Sequence, residues 1–385
     1  MAFDRQMFSD KLKRFMSALQ TTTLDLAENT GIPENRIQSL IKREHNPTGS
    51  EVLIISDFFH EDFNFFISNE QFATFERVED FFKKNNFLLT KEDRWHIKEF
   101  LFLCECESFL QDELGQNQRR SVFEFSKQDG NHYKQHGVAA ASAVRAYLGC
   151  EPNEIRLDVF SDFMSMGIHI FRRNLGKSAI SGFYIKHPSA GKCVLVNNSE
   201  DAFRQRFIVA HEVGHAILDD EANFNISLEA VNRSSDEEME LREKRANSFA
   251  SNYLAPSGYI SFIPENRTWT EEKIIKYSLS LKINPEPFAY ALNREGLISE
   301  NDVTHFKALR IPSAEKRDPE LPDDSDSLDY KRKAAVLEKG LSPYYVSLCL
   351  EAYGKDLISR GRLTEMLLAD EYSLVTIANL FMKTV

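Results

Sequence analysis

The sequence predicts a mainly helical α+β protein built from several units, and three observations carry that prediction. Apolar residues recur at three- and four-residue intervals along most of the 385 residues. The clearest strand-like run, Cys193-Val194-Leu195-Val196-Asn197, is short and leads straight into a helical pattern. A polar stretch over 313–330, with Pro319, Pro322 and the run Asp323-Asp324-Ser325-Asp326, separates a last group of helices from the rest. The expected units are a helical bundle over 1–66, a helical connector over 67–130, a central α+β domain over 131–312, an acidic mobile linker over 313–330 and a C-terminal helical unit over 331–385.

Composition narrows the class. With 42% hydrophobic and 28% charged residues the chain can bury a core in each of two to four units. A net charge of −12 excludes a protein held to nucleic acid by overall charge. No run reaches the length of an apolar membrane span and the N-terminus has no signal-peptide pattern, so a cytoplasmic protein without membrane partners is expected. Cys104, Cys106, Cys150, Cys193 and Cys349 are scattered, which argues for buried thiols and against a disulfide framework.

The first unit reads as four short helices, over 8–19, 23–30, 33–42 and 49–59. Thr30-Gly31-Ile32, between the second and third, is the kind of glycine turn at which a helix-turn-helix crosses its two helices. In the connector, helices over 69–84 and 90–114 joined by Asn85-Asn86-Phe87 carry Phe72, Phe75, Phe81, Phe82, Phe87, Phe100, Phe102 and Phe109, whose helical spacing predicts packing.

The most informative stretch is His211-Glu212-Val213-Gly214-His215. On a helix, histidines four apart share a face and can present two imidazoles to one Zn²⁺ at about 2.0–2.1 Å. Glu212, one residue on, would lie beside the open coordination position, where a carboxylate can take a proton from the attacking water and pass it to a leaving amine. Acids and cap candidates over 198–201 and apolar Phe207, Ala210, Val213, Gly214 and Ile217 predict one buried helix over 200–218, with Gly214 letting a neighbour approach closely. Chance would produce such a motif in roughly one chain of this length in a hundred, so an accidental match is disfavoured. A third ligand is required on another helix, and Glu243 fits: Ala246, Phe249, Ala250 and Leu254 follow at helical spacing and Pro256 ends the run. The competing reading assigns Glu243 to the solvated acidic run that includes Asp236, Glu237, Glu238 and Glu240. His132 and His136 repeat the four-residue spacing, but Asp129-Gly130-Asn131 reads as a turn and no second metal site is expected there.

Taken together, Arg206-Phe207 through His215, then Glu243 with Ala246, Asn247, Phe249 and Ala250, ending at Leu254-Ala255-Pro256, resemble the ImmA/IrrE family of zinc metallopeptidases. The resemblance extends over about residues 136–300, taking in helices near 138–148 and 153–166, a strand over 167–171 and Ser181-Gly182-Phe183. It implies a zincin-like peptidase domain with a small β-sheet, His211, His215 and Glu243 as Zn²⁺ ligands, and Glu212 as general base. Mn²⁺ or Fe²⁺ could replace zinc in such a set. The implied substrate is a partner protein, typically a transcriptional repressor. Thr22-Thr23-Leu24-Asp25-Leu26-Ala27, Gly31-Ile32, Ile37, Leu40-Ile41 and Pro47 resemble the repressor-type (XRE-like) DNA-binding domain. That resemblance puts the third helix in the major groove of duplex DNA, with Asn35, Arg36 and Gln38 on base edges, Ser39 on the same face, and Lys42, Arg43 and His45 near phosphates. Such domains commonly act as homodimers. The competing reading is a DNA-binding regulator or antitoxin-like protein whose metal site is structural or inactive. Beyond Pro256, helices over 270–281 and 285–295 complete the central domain, and three more, opened by Ser342-Pro343, Ser359 and Tyr372, form the last unit, whose task stays open between substrate recruitment and support.

Overall fold

The computed structural model describes residues 3–61, 63–68, 78, 89–116, 123, 125, 132–219, 237–264 and 267–385. They divide into two compact units, Met1–Glu105 and Cys106–Val385.

The first unit holds α1 (Arg5–Ala18), α2 (Thr23–Thr30), α3 (Glu34–Ile41), α4 (Gly49–Phe58), α5 (Phe63–Ile67) and the start of α6 (Lys91–Glu113). Thr22 and Thr48 each close a capping box, with Asp25 and Glu51 returning the bond, so the first-turn amides of α2 and α4 are satisfied locally. Gly31 ends α2 at φ 71, a left-handed position that glycine takes without strain, and the chain turns there into α3. Leu12, Phe15, Leu26, Ile37, Phe59 and Phe66 form the buried centre. The expected helix over 69–84 and its connector at 85–87 lie outside the described residues. Of the connector phenylalanines within them, Phe100 and Phe102 are buried as expected, whereas Phe109 is 43% exposed.

The second unit runs from α7 (Tyr133–Tyr147) and α8 (Val159–Ser165) into β1 (His169–Arg173), β2 (Gly182–His187) and β3 (Gly191–Asn197). Then come α9 (Ala202–Leu218), α10 (Glu237–Leu254), α11 (Ser257–Ser261), α12 (Glu271–Leu281), α13 (Pro285–Arg294) and α14 (Glu300–Phe306). The sheet has the order β1-β3-β2, with β3 parallel to β1 and antiparallel to β2. The architecture is thus mainly helical α+β, as the sequence predicts. Helix α9 packs on β2 and β3 and against α10, while α7 packs against α10 and also meets α9. Glycine permits these approaches: a Cβ on Gly137 of α7 would stand 2.3 Å from the Arg245 carbonyl, and one on Gly214 of α9 would stand 3.2 Å from Phe249 Cβ. Val144, Phe163, Ile208, Val213, Phe249 and Tyr253 fill the resulting core.

Two expectations need correction here. The helix expected over 153–166 begins only at Val159, because two arginines take the carbonyls that a longer helix would use. Arg145 donates to Glu151 and Glu154 at 3.0 and 2.7 Å, and the buried Arg206 donates to Arg156 at 2.6 Å and also to Leu157. Asp158 then caps α8 through the Ser161 amide. The acidic stretch over 313–330 is not a free linker. Arg172, buried on β1, pairs with Asp318 at 2.7 Å and with Glu320, while Lys316 pairs at 2.9 Å with Asp201, the N-cap of α9. A cation buried in the sheet needs counter-charge, and this segment supplies it.

The last helices, α15 (Leu328–Glu338), α16 (Pro343–Gly354), α17 (Arg360–Met366) and α18 (Glu371–Leu380), belong to the same compact unit. Arg173 donates to the Lys339 carbonyl at 2.7 Å, and Phe171 meets Tyr345 edge-on at 5.3 Å. The edge strand β1 is therefore covered, which removes a site for unwanted strand pairing. Cys104, Cys106, Cys193 and Cys349 are buried thiols and Cys150 is half-buried. No described helix is long and apolar enough to cross a membrane.

Candidate metal centre

Asp201 starts α9 by accepting from the Arg204 amide, and from Ile208 to Leu218 every residue of the helix is buried. One helical turn separates His211 from His215, so both rings leave the same face. Across from them, α10 begins at Glu237, six residues before Glu243, and carries Glu238 and Glu240 near its start. Glu238 and Glu240 are exposed and pair with Arg242 and Lys244, each at 2.5 Å. Glu243 instead turns inward. Its Oε2 lies 3.2 Å from His211 Nε2 and its Oε1 3.3 Å from His215 Nε2, and the two Nε2 atoms are 3.2 Å apart. Donors held about 2.0–2.1 Å from one tetrahedral ion stand about 3.3 Å from each other; the two imidazole nitrogens have that spacing, and one carboxylate oxygen of Glu243 lies within reach of each of them. Among the described residues it is the one cluster of three or more His, Cys, Asp or Glu that could hold an ion. His136, now on α7, has no part in such a group.

The outer nitrogens are also held. His211 Nδ1 lies 3.0 Å from Asn247 Oδ1, and His215 Nδ1 lies 2.7 Å from Asp219 Oδ2. An acceptor at each Nδ1 puts the proton there and leaves the Nε2 lone pair for a ligand. Asp219 in turn is gripped by Arg245 of α10. Burial disfavours ionisation of Glu243, but its contacts with the two imidazoles outweigh this and hold its carboxyl below the usual range. For His211 burial likewise opposes the charge, and contact with Glu243 reverses the balance, so its pKa is raised.

Glu212 is fully buried where α9 meets β2. Gly182 of β2 lets the strand approach α9 this closely: a Cβ there would stand 2.4 Å from Ile208 Cγ2 and 2.9 Å from the Leu195 carbonyl, and at an ordinary contact distance of 3.7 Å from Glu212 Cγ. Sequence reasoning gave no role to Asp219, Arg245 or Asn247. Asp219 had a signal, since a carboxylate one turn beyond His215 can reach its Nδ1.

The residues singled out on α3 lie in the first unit. Asn35, Gln38, Lys42 and Arg43 are exposed and Ser39 is half-buried, donating to the Arg36 carbonyl. Arg36 does not extend from that face as a free reader. It is held by both oxygens of Glu51 at 2.7 and 2.8 Å and by the Asn46 carbonyl, because Glu51 of α4 faces it across the turn. Arg43 pairs with Asp10 at 2.6 Å.

Residues 163–283 match the family model described as the IrrE N-terminal-like domain, of the ImmA/IrrE metallopeptidases. The matched span contains β1 to β3, α9, α10 and α12, and with them the whole His-His-Glu cluster. No curated protein matches the chain. This part of the chain is therefore similar to a metallopeptidase domain, a type that implies a divalent metal.

Proposed function

We propose that the protein is a zinc-dependent endopeptidase that cleaves a specific partner protein, with a transcriptional repressor as the expected class. The observation that carries this reading is the convergence of His211, His215 and Glu243 from two helices, with Glu212 buried one residue from the first of them. Zn²⁺ suits two imidazoles and a carboxylate with an open fourth position, and Mn²⁺ is the next candidate. When bound, the ion supplies Lewis-acid polarisation of the scissile carbonyl. The remaining work falls to the chain. Glu212 takes the proton of the attacking water and returns it to the leaving amine. Asn247 and Asp219 hold the two imidazoles in the ligating tautomer. Strand β2 is the edge of the described sheet that lies beside Glu212, and it is the expected course of an extended peptide substrate.

The test is incubation of the purified protein with Zn²⁺ or Mn²⁺ and a repressor-like protein encoded beside it, read by intact mass. Metal-dependent fragments are expected from the wild type, with cleavage about 10²- to 10⁴-fold slower in Glu212→Gln. Full activity in that variant would overturn the mechanism.

A second role, duplex-DNA recognition through α3, is favoured by the exposure of Asn35, Gln38 and Lys42 on that helix. With Arg36 and Arg43 engaged by acids, few phosphate contacts are available, so the affinity should be weak and should change little with salt. Fluorescence anisotropy with an operator fragment at two salt concentrations tests this; a steep salt dependence would contradict it.

A further inference from the structure

The two candidate ligand histidines are backed differently. His211 leans on the amide of Asn247, an exposed residue. His215 leans on the carboxylate of Asp219, which is 7% exposed and shares its other oxygen with Arg245, itself 6% exposed. We infer that Arg245 and Asp219 act as a positioning pair for the metal centre, and that His215 is the ligand through which the protein controls metal affinity. The inference rests on the metal-centre reading proposed above.

Several contacts fix the pair. The Arg245 guanidinium lies 5.5 Å from the centre of the Tyr133 ring on α7, and its backbone carbonyl is in the tight crossing at Gly137. The arginine is therefore gripped between α7 and the end of α9. Asp219 follows α9 directly as its C-cap, one turn beyond His215. One Asp219 oxygen is occupied by Arg245, so the other is left to receive His215 Nδ1–H from a single direction. Arg245 is also two residues from Glu243 on the same helix. The pair thus ties the helix that bears Glu243 to the helix that bears the histidines, independently of any ion.

A hydrogen bond out of water is stronger than one that competes with solvent. A carboxylate also draws more strongly on an imidazole N–H than an amide does. Both effects favour the His215 side. Loss of Arg245 removes the cation that grips this buried carboxylate. The acceptor behind His215 is then held less firmly in place. The Asn247 side, open to solvent, has water as a substitute acceptor.

The test is competition titration of Zn²⁺ against a chromophoric chelator, together with the visible absorption of the Co²⁺-loaded full-length protein. The variants are Asp219→Asn, Arg245→Met, Arg245→Lys and Asn247→Ala, with thermal melts to confirm folding. Affinity should fall about 10- to 100-fold in Asp219→Asn and Arg245→Met, with an altered Co²⁺ spectrum. Arg245→Lys should recover part of the loss, and Asn247→Ala should lose less than Asp219→Asn. If Arg245→Met does not fold, Asp219→Asn and Arg245→Lys decide the question. Wild-type affinity and spectrum in folded Asp219→Asn or Arg245→Met would overturn the inference, as would an equal loss in Asn247→Ala. A wild type that binds neither ion would instead refute the metal-centre reading itself.

Discussion

At the residue scale, the chemistry concentrates in four side chains whose positions follow from helix geometry. His211 and His215 share a face because they are one turn apart, and Glu243 meets them because α9 and α10 cross at Gly214 and Ala246. These positions were legible in the sequence, since a turn of helix and a small-residue crossing are both spacing properties. Asp219 and Arg245 were harder to find, because a side chain's reach to another helix is not recorded in spacing. The electrostatics give a pH prediction. In the metal-free protein the His211 pKa is raised by Glu243, so protons compete with metal for that imidazole. The sign follows: a raised histidine pKa stabilises the metal-free fold at low pH, and that contribution is lost as pH rises through the folded-state pKa. Metal binding behaves oppositely, strengthening as the imidazole loses its proton. Zn²⁺ titrations from slightly alkaline to mildly acidic pH should give steadily weaker binding; affinity independent of pH would contradict the account.

At the element scale, α1 of the first unit starts three residues earlier than expected and α5 was not expected, whereas α2, α3 and α4 were legible to within a residue. Their caps, Thr22 and Thr48, and the turn at Gly31 are local signals. The segment at 153–158 was misread because its carbonyls are claimed by Arg145 and Arg206 from outside the segment. The pairing of α3 with α4 through Arg36 and Glu51 has a measurable consequence. The Arg36 guanidinium outweighs the modest burial cost and brings the Glu51 carboxyl down from 4.5 to about 2. A lowered carboxyl pKa gives stability that is present above pH 4.5 and is lost as pH falls toward about 2. Glu51→Gln should therefore lower stability by about 1 kcal/mol near neutrality, allowing for solvent screening. In urea melts the gap to wild type should close across that acidic window; a constant gap would assign the effect to the cap alone. Between α7 and α10, Gly137→Ala should cost about 1–3 kcal/mol, since its Cβ would press on backbone at 2.3 Å. An unchanged denaturation midpoint would show that the crossing can relax.

At the scale of the whole molecule, the stretch over 313–330 is where sequence and structure differ most. The prolines and acids over 313–330 look like a solvated tether, and their partners are far away in sequence: Asp318 and Glu320 meet Arg172, and Lys316 meets Asp201. The C-terminal helices lie against β1, so they support the sheet that carries α9. Truncation after Pro312 would leave Arg172 without its two acids and uncover β1. The shortened protein should aggregate or melt at a lower temperature, and one that keeps the full-length melting temperature would refute the supporting role. The proposed joining of His211, His215 and Glu243 in one metal centre is tested by the stoichiometry of Zn²⁺ bound by the full-length protein, measured by equilibrium titration and elemental analysis beside His211→Ala, His215→Ala and Glu243→Ala. One tightly bound ion per chain is expected in the wild type, and its loss in each variant. Equal occupancy in the wild type and all three variants would contradict it.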